Sequence, residues 1–220
     1  MKPGVPYQNR SEAGQLLGGE LVEDYQARLD TLILGIANGG VPVAAEVAAA
    51  LRAPFDALAI GTIASPNPPG LTIGAVAPGS ILILDQDLIR ALGLPGEEVD
   101  RLAMRSRQEL ERRQRLYLGS RPEPDLKNRT VILVDDAACT GWSMLAAIRF
   151  ARQQKPKQVV LALPVASSIA LERFRHQADA CVCLAVPETC LSITDWYWKL
   201  PAVTDDEVRQ LIAKDPQEKA

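Results

Sequence analysis

Two adjacent carboxylates, Asp135 and Asp136, stand directly behind four apolar residues, Val131 to Val134. Ala137, Ala138 and Cys139 follow, then Thr140, Gly141, Trp142 and Ser143, and then a helical pattern. That order describes a buried strand, an acidic edge, a tight loop and a helix N-terminus. Such a loop presents successive backbone N–H groups to an anion, and the helix dipole reinforces them. The two carboxylates can accept hydrogen bonds from sugar hydroxyls or hold a metal through water. Anion, diol and metal chemistry within one loop point to a phosphorylated sugar. The plainer alternative is a strand-to-helix turn with two solvated aspartates.

A second loop has the same form. The apolar run 31–37 ends at Asn38-Gly39-Gly40, and Val41-Pro42 opens a helix that continues to Leu51. Pro42 suits a first helical turn, where its missing N–H costs nothing. A glycine pair behind a strand lets backbone approach a ligand closely.

These loops need a frame. Apolar runs near residues 31, 55, 131, 158 and 180 read as strands, with helical stretches between most of them. The helices are expected at 11–29, 41–51, 85–92, 97–118, 142–154 and 167–177, the first capped at Ser11-Glu12. This alternation predicts an α/β fold, a parallel central sheet with helices on both faces. Ligands bind such sheets at the carboxyl ends of the strands, where both loops lie. Residues 61–79 are rich in proline and glycine, so a loop or hairpin with little helix is expected, with 72–77 and 80–84 pairing as a hairpin. Trp196, Tyr197 and Trp198 form an aromatic cluster that can pack the core or stack on a planar base. Thr204 and Glu207 read as a capping box.

Composition sets the outer bounds. Of 220 residues, 47% are apolar and 23% charged, as in a typical globular chain. With 24 basic and 27 acidic residues the net charge is −3, which argues against a general nucleic-acid surface. No apolar run is long enough and uninterrupted for a membrane span, and MKPGVPYQNRSEAG holds no apolar signal core. The four cysteines form no CxxC pair, and the one histidine, His176, near a helix end, reads as a surface residue. Cys181 and Cys183 alternate in an apolar run and read as buried thiols. Free thiols fit a reducing cytosol, so a cytoplasmic location is expected.

The stretch 131–143 resembles the phosphoribosyl pyrophosphate (PRPP) signature of type I phosphoribosyltransferases: a hydrophobic strand, two acidic residues, a short loop, then Thr-Gly-x-Ser/Thr. GIANGGVPVAAEVA, at 35–48, is similar to the pyrophosphate loop of a subgroup of uncharacterised, predicted phosphoribosyltransferases, in which this loop commonly reads Pro-Arg-Gly-Gly-Val-Pro-Val. In the family that loop often contains a strained or cis peptide. The resemblance runs from about residue 31 to 212.

It implies the type I phosphoribosyltransferase fold with a small hood, here one domain over 1–220 with hood elements from about 61–84 and 187–203. It implies a pentosyl-transferring enzyme that binds PRPP with Mg2+ and passes phosphoribose to a nitrogenous acceptor, releasing pyrophosphate. Asp135, Asp136, Ala137, Ala138, Cys139, Thr140, Gly141, Trp142 and Ser143 would bind PRPP, the first two also holding magnesium through water. Ala37, Asn38 and Gly39 would face pyrophosphate, and Trp196 is the base-stacking candidate. Expected partners are these small molecules and a second copy in a homodimer, with no nucleic acid and no membrane.

Four departures from the family pattern bear on turnover. Asn38 stands where the subgroup has Arg, Gly61 and Thr62 where it has Arg-Lys, Gly70 where it has Glu, and Cys139 where purine-salvage members often have an Asp base. No catalytic residue is assigned. The alternative is a non-catalytic PRPP or nucleotide sensor of the same fold.

Overall fold

The structure is a computed structural model that describes residues 7–174 and 176–214. Residues 1–6 of the N-terminal stretch, residue 175 within the expected helix 167–177, and residues 215–220 lie outside the described residues.

Five parallel strands form the central sheet in the order β2 (Phe55–Ala59), β1 (Thr31–Ala37), β6 (Thr130–Val134), β7 (Gln158–Val165), β8 (Ala180–Ala185). β1 and β6 run side by side, with Gly35 beside Val134, so the two loops expected to bind ligand leave the sheet as neighbours.

The continuous apolar runs of these strands follow from burial on both faces. Alternate side chains serve opposite layers. Ile33, Ile132 and Val134 pack with α1 (Arg10–Tyr25), α2 (Gly40–Leu51), α4 (Gly96–Leu118) and α7 (Asp205–Ala213). Leu32, Leu34, Val131 and Leu133 pack with α5 (Trp142–Gln153) and α6 (Ser168–Phe174). No helix among the described residues is long and apolar enough to cross a membrane.

Two local expectations need correction, and a third is resolved. α1 is capped by Asn9, whose side chain accepts from the Glu12 N–H, and not by Ser11-Glu12. The stretch expected as a loop or hairpin is a hairpin: β3 (Gly61–Pro66) pairs with β4 (Pro69–Ala77), and β5 (Ile81–Leu84) completes an antiparallel sheet. Pro66, Pro68 and Pro69 are tolerated because they sit at the far end of its hairpin. The root of this sheet is core: Ile63, Ile73 and Val76 are buried on one side, Ala75, Ala77 and Ile83 on the other. Only its tip, residues 66–71, projects as a hood would. Finally, Cys181 is exposed and Cys183 half-buried, because β8 is an edge strand. α3 (Gln86–Ala91), capped by Asp85, completes the helices.

Candidate functional site

The loop after β6 is held from three directions. The Ala138 N–H donates to Val165 O at 2.9 Å and the Ser167 hydroxyl to Cys139 O at 2.7 Å. The Arg173 guanidinium donates to Thr140 O and lies over the Trp142 ring, 4.1 Å from its centroid. Gly141 caps α5 with φ of 79°, and a Cβ there would sit 2.9 Å from Phe174. Both the left-handed backbone and the contact require glycine.

What this bracing leaves over is donors. Among the described residues, the N–H groups of Cys139, Thr140 and Gly141 donate to no protein acceptor, nor are the Thr140 and Ser143 hydroxyls hydrogen-bonded. The first N–H groups of α5 lack intrahelical partners by geometry. Together they form a cradle for an anion at a helix N-terminus.

Over the cradle lies a cavity of about 580 Å³. Its floor is Asp135, Ala137, Ala138, Cys139, Thr140, Gly141 and Ser143. One wall is Gly70, Leu71 and Thr72 from the β4 tip; the other is the segment from Cys190 to Ile193. A disulfide, which sequence reading does not anticipate, joins Cys139 in the floor to Cys190 in the wall, with Cα atoms 4.9 Å apart.

The two acidic residues part company. Asp135 borders the cavity, and burial, reinforced by the neighbouring Asp136 carboxylate, pushes it well above the usual carboxylate range. Asp136 is buried and turned away from that cavity. Its Oδ2 accepts from Arg10 Nε at 2.8 Å, and its carbonyl accepts from the Tyr197 hydroxyl at 2.8 Å. Arg10 also donates to Pro201 O. The chain entering α1 runs beside residues 196–199: Tyr7 N–H donates to Trp196 O and Trp198 N–H to Tyr7 O. Together they lie across the Asp136 backbone as a strap.

The loop after β1 sits beneath the same strap. The Ala37–Asn38 peptide is cis. Asn38 donates to Val203 O and to Asp205 Oδ1 at 3.0 Å, and Tyr117 donates to the same Asp205 oxygen at 2.7 Å. Gly39 lies against the Asp136 carboxylate and Arg10, and Gly40 against Val134 O and Asp135. Ala37, Asn38, Gly39, Asp136, Trp142 and Trp196 do not line the 580 Å³ cavity. Of the aromatic cluster, Tyr197 is buried, Trp196 half-buried and Trp198 exposed. His176 lies apart, beside Arg149 and Arg152 at the end of α5.

Arg10 and Arg173 are the residues sequence reading missed here, and Tyr197, expected only as part of the aromatic cluster, is the one that bonds the loop backbone. Each reaches the loop after β6 from more than 30 positions away in the chain, and no local spacing marks them.

Among the described residues, no group of three or more His, Cys, Asp or Glu side chains converges on a point. A metal cage built by protein alone does not fit. Asp135, at the cavity edge, is the residue that would hold a magnesium ion brought in by a phosphate ligand, which would supply charge neutralisation there.

Comparison with known proteins gives a consistent picture. Residues 17–199 match the family model of the phosphoribosyl transferase domain. A provisionally named phosphoribosyl transferase of Mycobacterium tuberculosis (strain H37Rv) is 33% identical over 202 residues, 92% of this chain. The chain spans 45% of the length of that relative. The crystal structure of TT1426 from Thermus thermophilus superposes with a TM-score of 0.74 at 34% identity, covering 94% of this chain and 98% of that one. The AQ2163 protein from Aquifex aeolicus shares the fold, with a TM-score of 0.50 at 12% identity over 80% of this chain and 74% of its own.

Proposed function

The chain belongs to the phosphoribosyl transferase domain family, and from that premise we propose that it binds PRPP and transfers its phosphoribosyl group to a nitrogenous acceptor. The observation that carries the proposal is the row of undonated N–H groups at Cys139, Thr140 and Gly141, at the foot of a cavity whose edge is a carboxylate.

The roles follow from the chemistry each group offers. The N–H groups of the loop, with the Thr140 and Ser143 hydroxyls, take the 5′-phosphate. Asp135 accepts from a ribose hydroxyl. Asp136 works indirectly: it holds Arg10 against Gly39, in the loop that the resemblance assigns to pyrophosphate. A magnesium ion would neutralise pyrophosphate charge. The acceptor nitrogen donates its lone pair to the anomeric carbon, the bond from that carbon to the pyrophosphate oxygen breaks, and pyrophosphate leaves with the electron pair. The acceptor nitrogen then loses its proton to solvent water. Protein catalysis is positioning plus stabilisation of the leaving group.

One observation favours a second reading, a PRPP or nucleotide sensor that does not turn over. No Lys or Arg is among the described residues that line the cavity, and Asn38 is engaged by Asp205. The two readings separate in one assay: pyrophosphate release from PRPP and Mg2+ with a panel of nucleobases. The transferase reading predicts release that depends on one class of base. Saturable PRPP binding without release from any acceptor contradicts it and supports the sensor.

A further inference from the structure

Among the described residues, Thr189, Cys190 and Leu191 make no hydrogen bond. The segment is anchored on either side. Before it, the Ser168 N–H and hydroxyl donate to Pro187 O and Glu188 O. After it, Ser192 accepts from the Thr194 N–H and caps the 3-10 helix Ile193–Trp196. Between these anchors the Cys139–Cys190 bond is the one polar or covalent tie of the cavity wall to its floor among the described residues. Leu191, the next residue, is 92% exposed, so packing does not replace that tie.

The floor residue is placed differently. Cys139 lies in the braced loop, its carbonyl fixed by Ser167 and its N–H part of the anion cradle. One sulfur is therefore on a rigid element and the other on a segment with little else to hold it. The Cα separation of 4.9 Å lies within the range that disulfides span. Both cysteines line the open cavity, so a small thiol or disulfide can reach them.

We propose that Cys139 and Cys190 form a reversible redox site, a dithiol–disulfide pair that exchanges with low-molecular-weight disulfides and decides whether the 189–191 wall is tethered to the ligand loop. In the forward direction one thiolate attacks a sulfur of the small disulfide. The S–S bond breaks, a small thiolate leaves and a mixed disulfide remains. The second protein thiolate attacks the protein sulfur of that mixed disulfide and expels the second small thiolate. Two protein thiols are oxidised, one small disulfide is reduced to two thiols, and the protons of the protein thiols pass to the small thiolates. The reverse exchange frees the wall. Burial pushes the Cys183 thiol up to about 12, so it holds little thiolate at neutral pH and competes poorly.

The consequence for ligand traffic rests on the PRPP reading; the redox site itself does not. The test accordingly uses the full chain without PRPP, in glutathione buffers stepped from fully reduced to fully oxidised. Alkylation of free thiols followed by peptide mapping reports which cysteines pair, and hydrogen exchange reports the wall. The expected result is joint loss of the Cys139 and Cys190 thiols as one two-electron transition. Amides at 189–193 should exchange on the order of tenfold faster in the reduced form. Cys190→Ser should show the fast exchange in both buffers. The proposal is overturned if Cys139 stays a thiol at every ratio, if it pairs with Cys181 or Cys183, or if exchange at 189–193 is the same in both forms. Absence of PRPP binding alongside a normal redox transition would count against the proposed function and leave the redox site standing.

Discussion

Arg10 Nε lies 2.8 Å from Asp136 Oδ2, and both side chains are largely shielded, 13% and 11% exposed. The second aspartate of the signature is therefore occupied from within the chain. A buried carboxylate stripped of its partner is costly. Arg10→Ala is expected to lower unfolding stability by roughly 3–5 kcal/mol in denaturant titration. Adding Asp136→Asn to it should recover part of that loss, because no charge is then left unpaired. If Arg10→Ala costs nothing, the pair does not hold the strap.

Gly40 joins the two loops. A Cβ on it would come within 2.7 Å of Val134 O and 2.8 Å of Asp135 Cα, and backbone cannot yield as a side-chain tip can. Gly40→Ala is expected to cost about 1–3 kcal/mol by overpacking. Because the displaced neighbour is Asp135, PRPP affinity should fall as well. Gly19→Ala, on α1 with open space around it, is the control that should leave both unchanged or raise stability slightly.

The strands were readable because burial on both faces writes itself into composition. Residues 31–37 and 130–134 have no polar alternation, and both form central strands with the expected bounds. For 61–79 the prolines, which belong to the far end of the β3 hairpin, left loop and hairpin undecided. Cys181 and Cys183 looked buried because a run of apolar residues does not reveal whether its strand is central or at an edge. The anion loop was legible because strand, loop and helix are contiguous in sequence. The partners of that loop were not. Arg10 meets Asp136 across 126 positions and Asn38 meets Asp205 across 167, and such pairings have no local period.

The latch on Asn38 should depend on acid. Burial opposes ionisation of Asp205, but hydrogen bonds from Arg112, Tyr117 and Asn38 outweigh it and bring its carboxyl from 3.8 down to about 2. A folded-state value below the unfolded one means that the ionised form stabilises the fold. That stabilisation is present above pH 3.8 and is lost as pH falls through 2. Wild type should therefore lose stability more steeply than Asp205→Asn between about pH 5 and 2, read by denaturant unfolding at each pH. Parallel curves for the two proteins would show that Asp205 is not held in this way.

The central claim is that the loop from Asp135 to Ser143 is a ligand cradle, and calorimetric titration with PRPP and Mg2+ tests it most directly. Wild type should bind with one site per chain. Ser143→Ala and Thr140→Val should each weaken binding by about tenfold or more, as expected for a hydrogen bond to a charged group, with little change in stability. Asp135→Asn should weaken it while leaving the phosphate contacts in place. No heat with wild type, or equal affinity in wild type and all three variants, would contradict the account.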